Sequence, residues 1–483
     1  MRSPSGSILA AALALASCRT APVAPGSAGA ASGVMVLRGT VLRPDGTAVP
    51  DAAVLVEGER IVRVGPAAEV PVPPGARVVG GPDKWILPGL VDTHVHFFQS
   101  GGLYTRPDIV DLTGRVPYAQ ERAAIAAGLD RTLARYLRSG VTAVMDMGGP
   151  LWNFDVREHA RRTALAPRVL VAGPLLSSVS RPQLVVDGDA PILEVKDPAG
   201  ARAIVRAQAA RRPDLVKLWW VLPAGGTAAD WLPIGKAAID EAHAQGLRVA
   251  VHATQLETAR TAVQAGADLL VHSVDDAPLD DGLLALLRER RVPYITTLVV
   301  LEGYAEALGH AVRLSPAERE IVDPAVVATV VDPPPLPERA AAAAQRMRDR
   351  LPVALENARR AADAGVLVVA GSDAGNIGTF HGPAVHREVE LLVQAGPSPA
   401  RAHRAATLDA ARALGREGDL GSVEAGKLAD LVVLDASPLE DVRNLARVHA
   451  VVKGGVARTP GEILPPSAEE EAQRRVNAGK VGD

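Results

Sequence analysis

The sequence reads LPGLVDTHVH between Leu87 and His96, and this stretch decides how the rest of the chain is interpreted. The apolar run Ile86–Val91, which overlaps the start of this stretch, predicts a buried strand that ends just before two histidines. Alternate residues of a strand lie on the same face, so His94 and His96 point into one space. Two imidazoles at the carboxyl end of a buried strand can form half of a metal site.

Seven further apolar runs follow, each separated from the next by a stretch of helical period, and this alternation is typical of a parallel sheet. Together with the first strand they predict eight βα units over roughly 330 residues, which indicates an α/β fold of the (β/α)8 TIM-barrel type. A doubly wound open sheet is the alternative, although no Gly-x-Gly-x-x-Gly follows an early strand. The seven runs are Thr142–Met145, Val169–Ala172, Leu215–Trp219, Arg248–Val251, Leu269–Val271, Tyr294–Leu298 and Val366–Ala370.

Short β-branched runs flank this middle region on both sides and predict a small composite β-sandwich domain built from both ends of the chain. The predicted domains are a signal peptide (1–18), a flexible tether (19–33), an N-terminal sandwich segment (34–84), the barrel (85–419), a C-terminal sandwich segment (420–465) and a polar C-terminal tail (466–483). The segment 302–350, with its Pro333-Pro334-Pro335, is too long for a plain connection, and we expect it to cap the barrel mouth or act as a lid.

Composition and charge exclude several classes of protein. The 483 residues are 48% hydrophobic and 22% charged, with a net charge of −3, which indicates a folded globular protein. No basic stripe offers the counter-charge that nucleic acid requires, so nucleic acid is not an expected partner. The only cysteine is Cys18, which excludes an intrachain disulfide and a thiolate metal cluster.

The first 18 residues resemble a bacterial lipoprotein signal. Arg2 is followed by the apolar run Ile8–Ala16, which is shorter than the roughly 20 residues that span a bilayer, and then by Leu-Ala-Ser-Cys at Leu15–Cys18. The resemblance implies lipidation of Cys18 and an exported protein that is anchored to the bacterial cell envelope, with membrane contact only through this lipid. A plain secretory signal with an accidental cysteine is the alternative.

Three more polar side chains fall at predicted strand ends. His252 and His272 are 20 residues apart, which is about one βα repeat, so both should reach the same rim of the barrel. Asp373 follows the last predicted strand in the sequence Gly371-Ser372-Asp373. Each also has an ordinary interpretation, as a hydrogen-bonded rim histidine or as a helix-capping carboxylate.

Lys217 lies in the middle of an apolar strand, where an unpaired ammonium would be costly. Burial and neighbouring metal ions favour the neutral amine, which can add carbon dioxide and become a carbamate. A carbamate has two oxygens spaced to bridge two cations. The alternative is a lysine that extends to solvent at the end of the strand.

As a set, these motifs resemble the amidohydrolase superfamily, specifically its prolidase-like and imidazolonepropionase-like branch, from about Val34 to Arg458. The resemblance implies that His94, His96 and Asp373 bind one divalent metal, that His252 and His272 bind a second, and that carboxylated Lys217 bridges the two. Zinc suits these ligands, and manganese or cobalt are alternatives. The matching elements are Leu87–His96, Lys217, the segment around His252, Ala265–Asp268 leading to His272, Gly371–Ala374, His386–Glu388, Ala405–Thr407 and Gly426–Val432.

The resemblance also implies the chemistry, which is hydrolysis of an amide bond by a metal-activated hydroxide, with Asp373, Lys217 and His272 as the catalytic residues. Lys217 favours the binuclear, peptide-hydrolysing branch, so an Xaa-Pro or other small dipeptide is the first expected substrate. A cyclic amide, lactone or carbamate hydrolase and a non-catalytic lipoprotein scaffold are the alternatives, and a homo-oligomer is compatible with each.

The expected substrate contacts depart from the family pattern. Prolidase-like relatives often carry a Gly-Gly-His after the third strand, whereas this chain reads SSVSRP at Ser177–Pro182. Arg181 could bind a substrate carboxylate in place of that histidine. Further candidates for the pocket wall, each equally compatible with core packing, are Tyr104, Trp219, Trp220, Tyr294 and His381.

Overall fold

A computed structural model describes residues 33–480. The predicted signal peptide, with Cys18, and all of the predicted tether except Gly33 lie outside these residues. None of the helices in the described part of the chain is both long enough and apolar enough to cross a membrane.

The described residues form seventeen strands and sixteen α-helices in chain order. The strands are β1 (Met35–Leu42), β2 (Ala48–Glu57), β3 (Arg60–Pro66), β4 (Arg77–Pro88), β5 (Leu90–Val95), β6 (Val141–Asp146), β7 (Arg168–Val171), β8 (Leu175–Ser177), β9 (Ile192–Glu194), β10 (Val216–Trp219), β11 (Val249–His252), β12 (Leu269–Val271), β13 (Tyr294–Ile295), β14 (Val368–Val369), β15 (Leu431–Leu434), β16 (Val448–Lys453) and β17 (Val456–Arg458). The helices are α1 (Tyr118–Ala127), α2 (Leu129–Arg138), α3 (Trp152–Arg162), α4 (Pro198–Ala209), α5 (Ala228–Ala244), α6 (Leu256–Ala265), α7 (Asp281–Glu289), α8 (Leu298–Leu308), α9 (Pro316–Ile321), α10 (Pro324–Val331), α11 (Glu338–Asp363), α12 (Ala384–Ala395), α13 (Pro399–Ala405), α14 (Leu408–Ala413), α15 (Pro460–Ile463) and α16 (Ala468–Ala478).

The middle of the chain is a closed parallel barrel, which confirms the predicted fold class. Strands β5, β6 and β7 pair in order, and β8, β10, β11, β12, β13 and β14 continue the ring. The third strand is interrupted at Gly173-Pro174, so that β7 and β8 are its two halves and β8 pairs with β10. A bridge between Val95 and Ala374 closes the ring from β14 to β5. This closure excludes the alternative of an open doubly wound sheet.

The first barrel strand begins later than predicted. Ile86 and Leu87 belong to β4 of the other sheet, and the barrel strand begins at Leu90. Gly89 separates the two strands, and a side chain at this position would collide with Thr142 on the neighbouring strand β6. The apolar run Ile86–Val91 is therefore divided between two sheets. Both sheets bury apolar side chains, so hydrophobicity alone does not mark the boundary between them.

The two ends of the described chain join in one mixed seven-stranded sheet, in the order β17-β16-β15-β4-β1-β2-β3. β15 pairs antiparallel with β4, which connects the C-terminal segment directly to the N-terminal one. A buried cluster that includes Leu37, Val54, Ile86, Leu431 and Val452 packs against this sheet. The composite module predicted from both flanks is confirmed.

The segment 302–350 is largely helical and includes α9, α10 and the first half of α11. Its apolar residues pack against Leu103, Ile377 and Phe380, which lie in loops that follow barrel strands. Helix α16 of the C-terminal tail packs nearby, and Asn477 Nδ2 donates a hydrogen bond of 2.8 Å to Pro324 O. The segment thus lies at the carboxyl end of the barrel, where a cap was expected.

Candidate metal centre

A cavity of about 240 Å³ lies at the carboxyl ends of the barrel strands. Most of the side chains that line it come from the barrel strands and from the segments that follow them, all around the ring. All six predicted metal ligands are among them, namely His94, His96, Lys217, His252, His272 and Asp373.

The nitrogen and oxygen atoms of these side chains converge closely. Asp373 Oδ1 lies 3.3 Å from His94 Nε2 and 3.1 Å from His96 Nε2, and the two Nε2 atoms are 3.1 Å apart. One ligand atom each from His94, His272 and Asp373 lies within 4.8 Å of the others. The ring of His252 lies next to that of His272, with 4.3 Å between the two ring centroids. The geometry therefore brings these five side chains into one cluster.

Three residues that follow barrel strands have a left-handed backbone conformation. His272 follows β12 with φ of +74°, Thr297 follows β13 with +48°, and Asp373 follows β14 with +59°. Such conformations cost about 1–3 kcal/mol in residues other than glycine and collect at functional sites. At Asp373 the turn is held by its own amide, which donates a hydrogen bond of 2.7 Å to His94 O.

A buried carboxylate, Asp92, links the first and last barrel strands. It accepts hydrogen bonds from the Ser372 amide at 2.9 Å, from Ser372 Oγ at 2.5 Å and from the His94 amide at 3.2 Å. Burial raises the pKa of Asp92 to about 6. Sequence reasoning did not single out Asp92, although an aspartate inside an apolar strand is the same signal that drew attention to Lys217.

A second carboxylate, Asp146, orients His96 through the backbone. It accepts hydrogen bonds of 3.0 Å from the amides of Phe97 and Gly148, and Gly148 O in turn lies 2.7 Å from His96 Nδ1. A carbonyl can only accept, so Nδ1 carries the proton of the neutral His96 ring and Nε2 offers its lone pair towards Asp373. Outer hydrogen bonds of this kind are typical of metal-binding histidines.

The electrostatics of the cavity favour neutral nitrogen ligands. Burial, together with the nearby positive charge of Lys217 and the other histidines, lowers the pKa of His94, His252 and His272 well below the usual range. Burial also lowers the pKa of Lys217 to about 7, although Asp373 acts in the opposite direction. Lys217 Nζ has no hydrogen-bond partner among residues 33–480, and neither has Asp373 Oδ1. Buried polar atoms without a partner fit a site built to bind a cation.

Arg106, from the loop after β5, also lines the cavity and was missed by sequence reasoning. Its Nε and Nη2 donate to the two oxygens of Asp108, each at 2.8 Å, and Nη1 donates to Asn376 Oδ1 at 2.7 Å. The Arg106 side chain is only 13% exposed, and that of Asp108 1%. No periodic signal marks a functional arginine in a loop, so only the folded chain identifies it.

Only one of the predicted substrate contacts lines this cavity. Trp219 lines it, and the guanidinium of Arg181 lies 5.0 Å from the centre of the Trp219 ring. Arg181 itself is not among the lining residues, because Asp108 Oδ2 holds its Nε at 3.5 Å.

Four other candidates lie elsewhere, which corrects the prediction that they line the pocket. Tyr104 and His381 line a neighbouring cavity, where His381 is held by the Tyr136 hydroxyl and by Gln99 O. Trp220 packs edge-on against Trp231, and Tyr294 is fully buried, with its hydroxyl accepting from the Val274 amide. Strand alternation directs Trp220 away from the face that carries Trp219.

A TIM barrel whose histidines and acidic groups converge at the carboxyl end defines a class of metal-dependent hydrolases. The model of the amidohydrolase family matches residues 85–458, so the chain belongs to this family and is a metal-dependent hydrolase of carbon–nitrogen bonds.

The chain is also similar to individual proteins. An uncharacterized protein from Mycobacterium tuberculosis is 31% identical over 69% of this chain and 75% of its own length. Ochratoxinase from Aspergillus niger is 24% identical over 90% of this chain and 88% of its own. Among solved structures, a prolidase complexed with N-methylphosphonate-L-proline is 25% identical, with a TM-score of 0.67, and the match covers 88% of this chain and all of that one.

Proposed function

We propose that this protein hydrolyses the amide bond of a small dipeptide-like substrate, Xaa-Pro or similar, at a centre that holds two divalent ions, with zinc preferred. The observation that carries the proposal is one cavity that combines the cluster of histidines, Lys217 and Asp373 with the guanidinium of Arg106. The similarity to a prolidase that binds a proline derivative supports the dipeptide class.

The residues fit such a centre. His94, His96 and Asp373 would hold one ion, because their nitrogen and oxygen atoms converge. His252 and His272 would hold the other, because their ring centroids are 4.3 Å apart. The lowered pKa values of His94, His252 and His272 favour neutral imidazoles. Lys217 would bridge them as a carbamate. Its buried neutral amine adds carbon dioxide, which forms a nitrogen–carbon bond and releases one proton.

Divalent ions, when bound by these residues, would supply a water of pKa about 7 and polarisation of the substrate carbonyl. Asp373 acts as the proton carrier, since its Oδ1 faces the cluster and accepts no hydrogen bond from any described residue. It takes a proton from the attacking water and delivers it to the leaving amine. Asp92 and Ser372 hold the Asp373 loop against His94, which keeps this carboxylate in position.

Arg106 supports a substrate with a free carboxylate. It lines the cavity, and its guanidinium is fixed by Asp108 and Asn376 before any ligand arrives. Arg181 adds a second positive charge behind the same Asp108 carboxylate. Two guanidinium groups and one carboxylate leave a net charge of +1 at this wall. This assigns to Arg106 the contact that the sequence suggested for Arg181.

Export and lipid anchoring at Cys18 belong to the proposal as well. They rest on the N-terminal sequence alone, which combines Arg2, the apolar run Ile8–Ala16 and the Leu-Ala-Ser-Cys ending. Metabolic labelling with a fatty acid, in the wild type and in Cys18→Ser, tests them independently of catalysis. Loss of the label in the variant supports lipidation, and an unlabelled wild type contradicts it.

The catalytic proposal is tested with Leu-Pro and its C-terminal amide, using wild-type enzyme, Arg106→Gln and the control Arg443→Gln, whose side chain is 75% exposed. We expect the wild type to prefer the free carboxylate. Arg106→Gln should lose about 10- to 100-fold of this preference in kcat/KM, which corresponds to one charge-assisted hydrogen bond. Arg443→Gln should retain it.

Other results of this assay, together with metal analysis, distinguish a dipeptidase from a cyclic amide, lactone or carbamate hydrolase and from a scaffold. Equal hydrolysis of acid and amide contradicts a dipeptidase and favours hydrolysis of a cyclic amide, lactone or carbamate. Metal analysis separates catalysis from a scaffold role, because about two ions per chain are expected for the binuclear centre. A chain that binds none supports a scaffold without turnover.

A further inference from the structure

Asp275 is a buried carboxylate in the same cavity that the chemistry above does not use. It lies three residues after His272, in the loop that follows β12, and its side chain is 3% exposed. Asp275 Oδ1 has no hydrogen-bond partner in the described part of the chain. The neighbouring Ser273 lines the same cavity, and its buried Oγ also has no partner among residues 33–480. Two unpaired acceptors thus border one space.

The only charged partner of Asp275 among the described residues is a weak one. Arg350 Nη1, on α11, lies 3.5 Å from the other oxygen, Oδ2, and the Arg350 side chain is 41% exposed. Because the Arg350 side chain is partly solvated, a contact at this distance contributes at most about 1 kcal/mol. It does not offset the cost of a buried carboxylate whose second oxygen is unpaired. A purely structural role therefore leaves the burial of Asp275 unexplained.

The loop that carries Asp275 is rigidly held. The Val274 amide donates to the Tyr294 hydroxyl at 2.7 Å, and Val274 O accepts from Asn357 Nδ2 at 2.8 Å. Tyr294 and Asn357 are fully buried, and the Asp275 amide donates to Thr254 O. The carboxylate is thus held in place without a ligand, which is the arrangement expected of a binding group.

We infer that Asp275, with Ser273 beside it, binds a primary ammonium group of the substrate. A carboxylate and a hydroxyl, both acceptors, match the three donors of an ammonium. This inference rests on the proposed function, because a dipeptide carries an α-ammonium two bonds from its scissile carbonyl. His272 and Asp275 line one cavity and are separated by at most about 11 Å of extended backbone, so the ammonium site and the metal-binding cluster share that cavity. With Arg106 at the carboxylate end, the cavity selects a zwitterion.

The test compares kcat/KM for Leu-Pro, N-acetyl-Leu-Pro and N-acetyl-Lys-Pro, with metal-loaded wild type, Asp275→Asn and the control Asp281→Asn. The Asp281 side chain is fully exposed. We expect the wild type to prefer a substrate with an ammonium by 10-fold or more over N-acetyl-Leu-Pro. In Asp275→Asn this ratio should fall towards one, and in Asp281→Asn it should persist.

The three substrates separate the two sources of an ammonium. Preference for Leu-Pro alone identifies the α-ammonium, and preference that extends to N-acetyl-Lys-Pro identifies a side-chain ammonium. A structural role for Asp275 would lower all three rates together and leave the ratio unchanged, which would overturn the inference. A wild type without any preference would overturn it as well, even if Asp275→Asn does not fold.

A second measurement covers the case in which no dipeptide is hydrolysed and the proposed function fails. Calorimetry with metal-free protein compares leucinol, which has an ammonium but neither an amide nor a carboxylate, with N-acetyl-leucinol. Binding of leucinol that weakens 10-fold or more in Asp275→Asn supports the ammonium site on its own. Equal affinity of wild-type protein for the two compounds contradicts it.

Discussion

Glu388 allows a prediction about pH that does not depend on the metal centre. This residue on α12 is fully buried, and its carboxyl group accepts hydrogen bonds from Thr296 Oγ1 at 2.5 Å and from the Val299 amide at 2.8 Å. These contacts connect α12 to the end of β13 and to the start of α8. Burial raises the pKa of Glu388 from 4.5 to about 7, against the opposing effect of both hydrogen bonds.

The raised pKa of Glu388 determines how the free energy of unfolding changes with pH. The folded protein binds the Glu388 proton more tightly than the unfolded chain, so the stability it contributes is fully present below pH 4.5 and is lost as the pH rises through 7. A difference of about 2.5 pH units corresponds to about 3 kcal/mol. Glu388→Gln mimics the protonated carboxyl group and should remove this dependence.

Urea unfolding of the metal-loaded protein at pH 4.5, 6 and 8 measures the effect. The free energy of unfolding of wild type minus that of Glu388→Gln should become more negative by about 3 kcal/mol from pH 4.5 to pH 8. Glu69→Gln, a change at an exposed glutamate, is the control and should show no such trend. A difference between wild type and Glu388→Gln that stays constant over this range would refute the reasoning.

Two substitutions in the candidate centre have equally definite outcomes. Lys217→Ala should lose most activity and about one metal ion per chain, with partial rescue of activity by short carboxylic acids that replace the carbamate; metal content equal to wild type would contradict the bridging role. Asp373→Asn should keep the fold, measured by circular dichroism, but lose turnover by a factor of 10² or more, as removal of a general base does. Near-normal turnover would exclude Asp373 as the proton carrier.

The sequence predicted the strand-borne side chains of the cavity well because the signal was local. His94, Lys217 and His252 are polar residues inside or at the end of apolar runs, and alternation along a strand determines which face they occupy. Asp92 carries the same signal, although sequence reasoning did not use it. Arg106 and Asp275 lie in irregular loops, whose course is not encoded by any period, so their position in the cavity could not be predicted.

The predictions for the first barrel strand and for two pocket residues were wrong for a similar reason, since each residue fits more than one environment. The run at Ile86–Val91 predicts one strand, but hydrophobicity does not reveal which of two sheets a residue joins. Tyr104 and His381 were expected in the substrate pocket, but each lines the neighbouring cavity. A single aromatic or imidazole side chain fits a pocket wall and a packed core equally well.

By itself the sequence predicted the alternation of strands and helices and the six polar side chains that line the cavity, since these depend on periodicity and on the chemistry of single residues. The closure of the ring, which distinguishes a barrel from an open sheet, came from the tertiary structure. Only the tertiary structure decided that Asp373 lies 3.3 Å from His94 across the closing strands, that Arg106 faces the same space, and that the segment 302–350 lies over it. The physical reason is that closing a barrel brings together residues almost 280 positions apart in the chain, and such distances are set by packing of the whole ring rather than by any local preference.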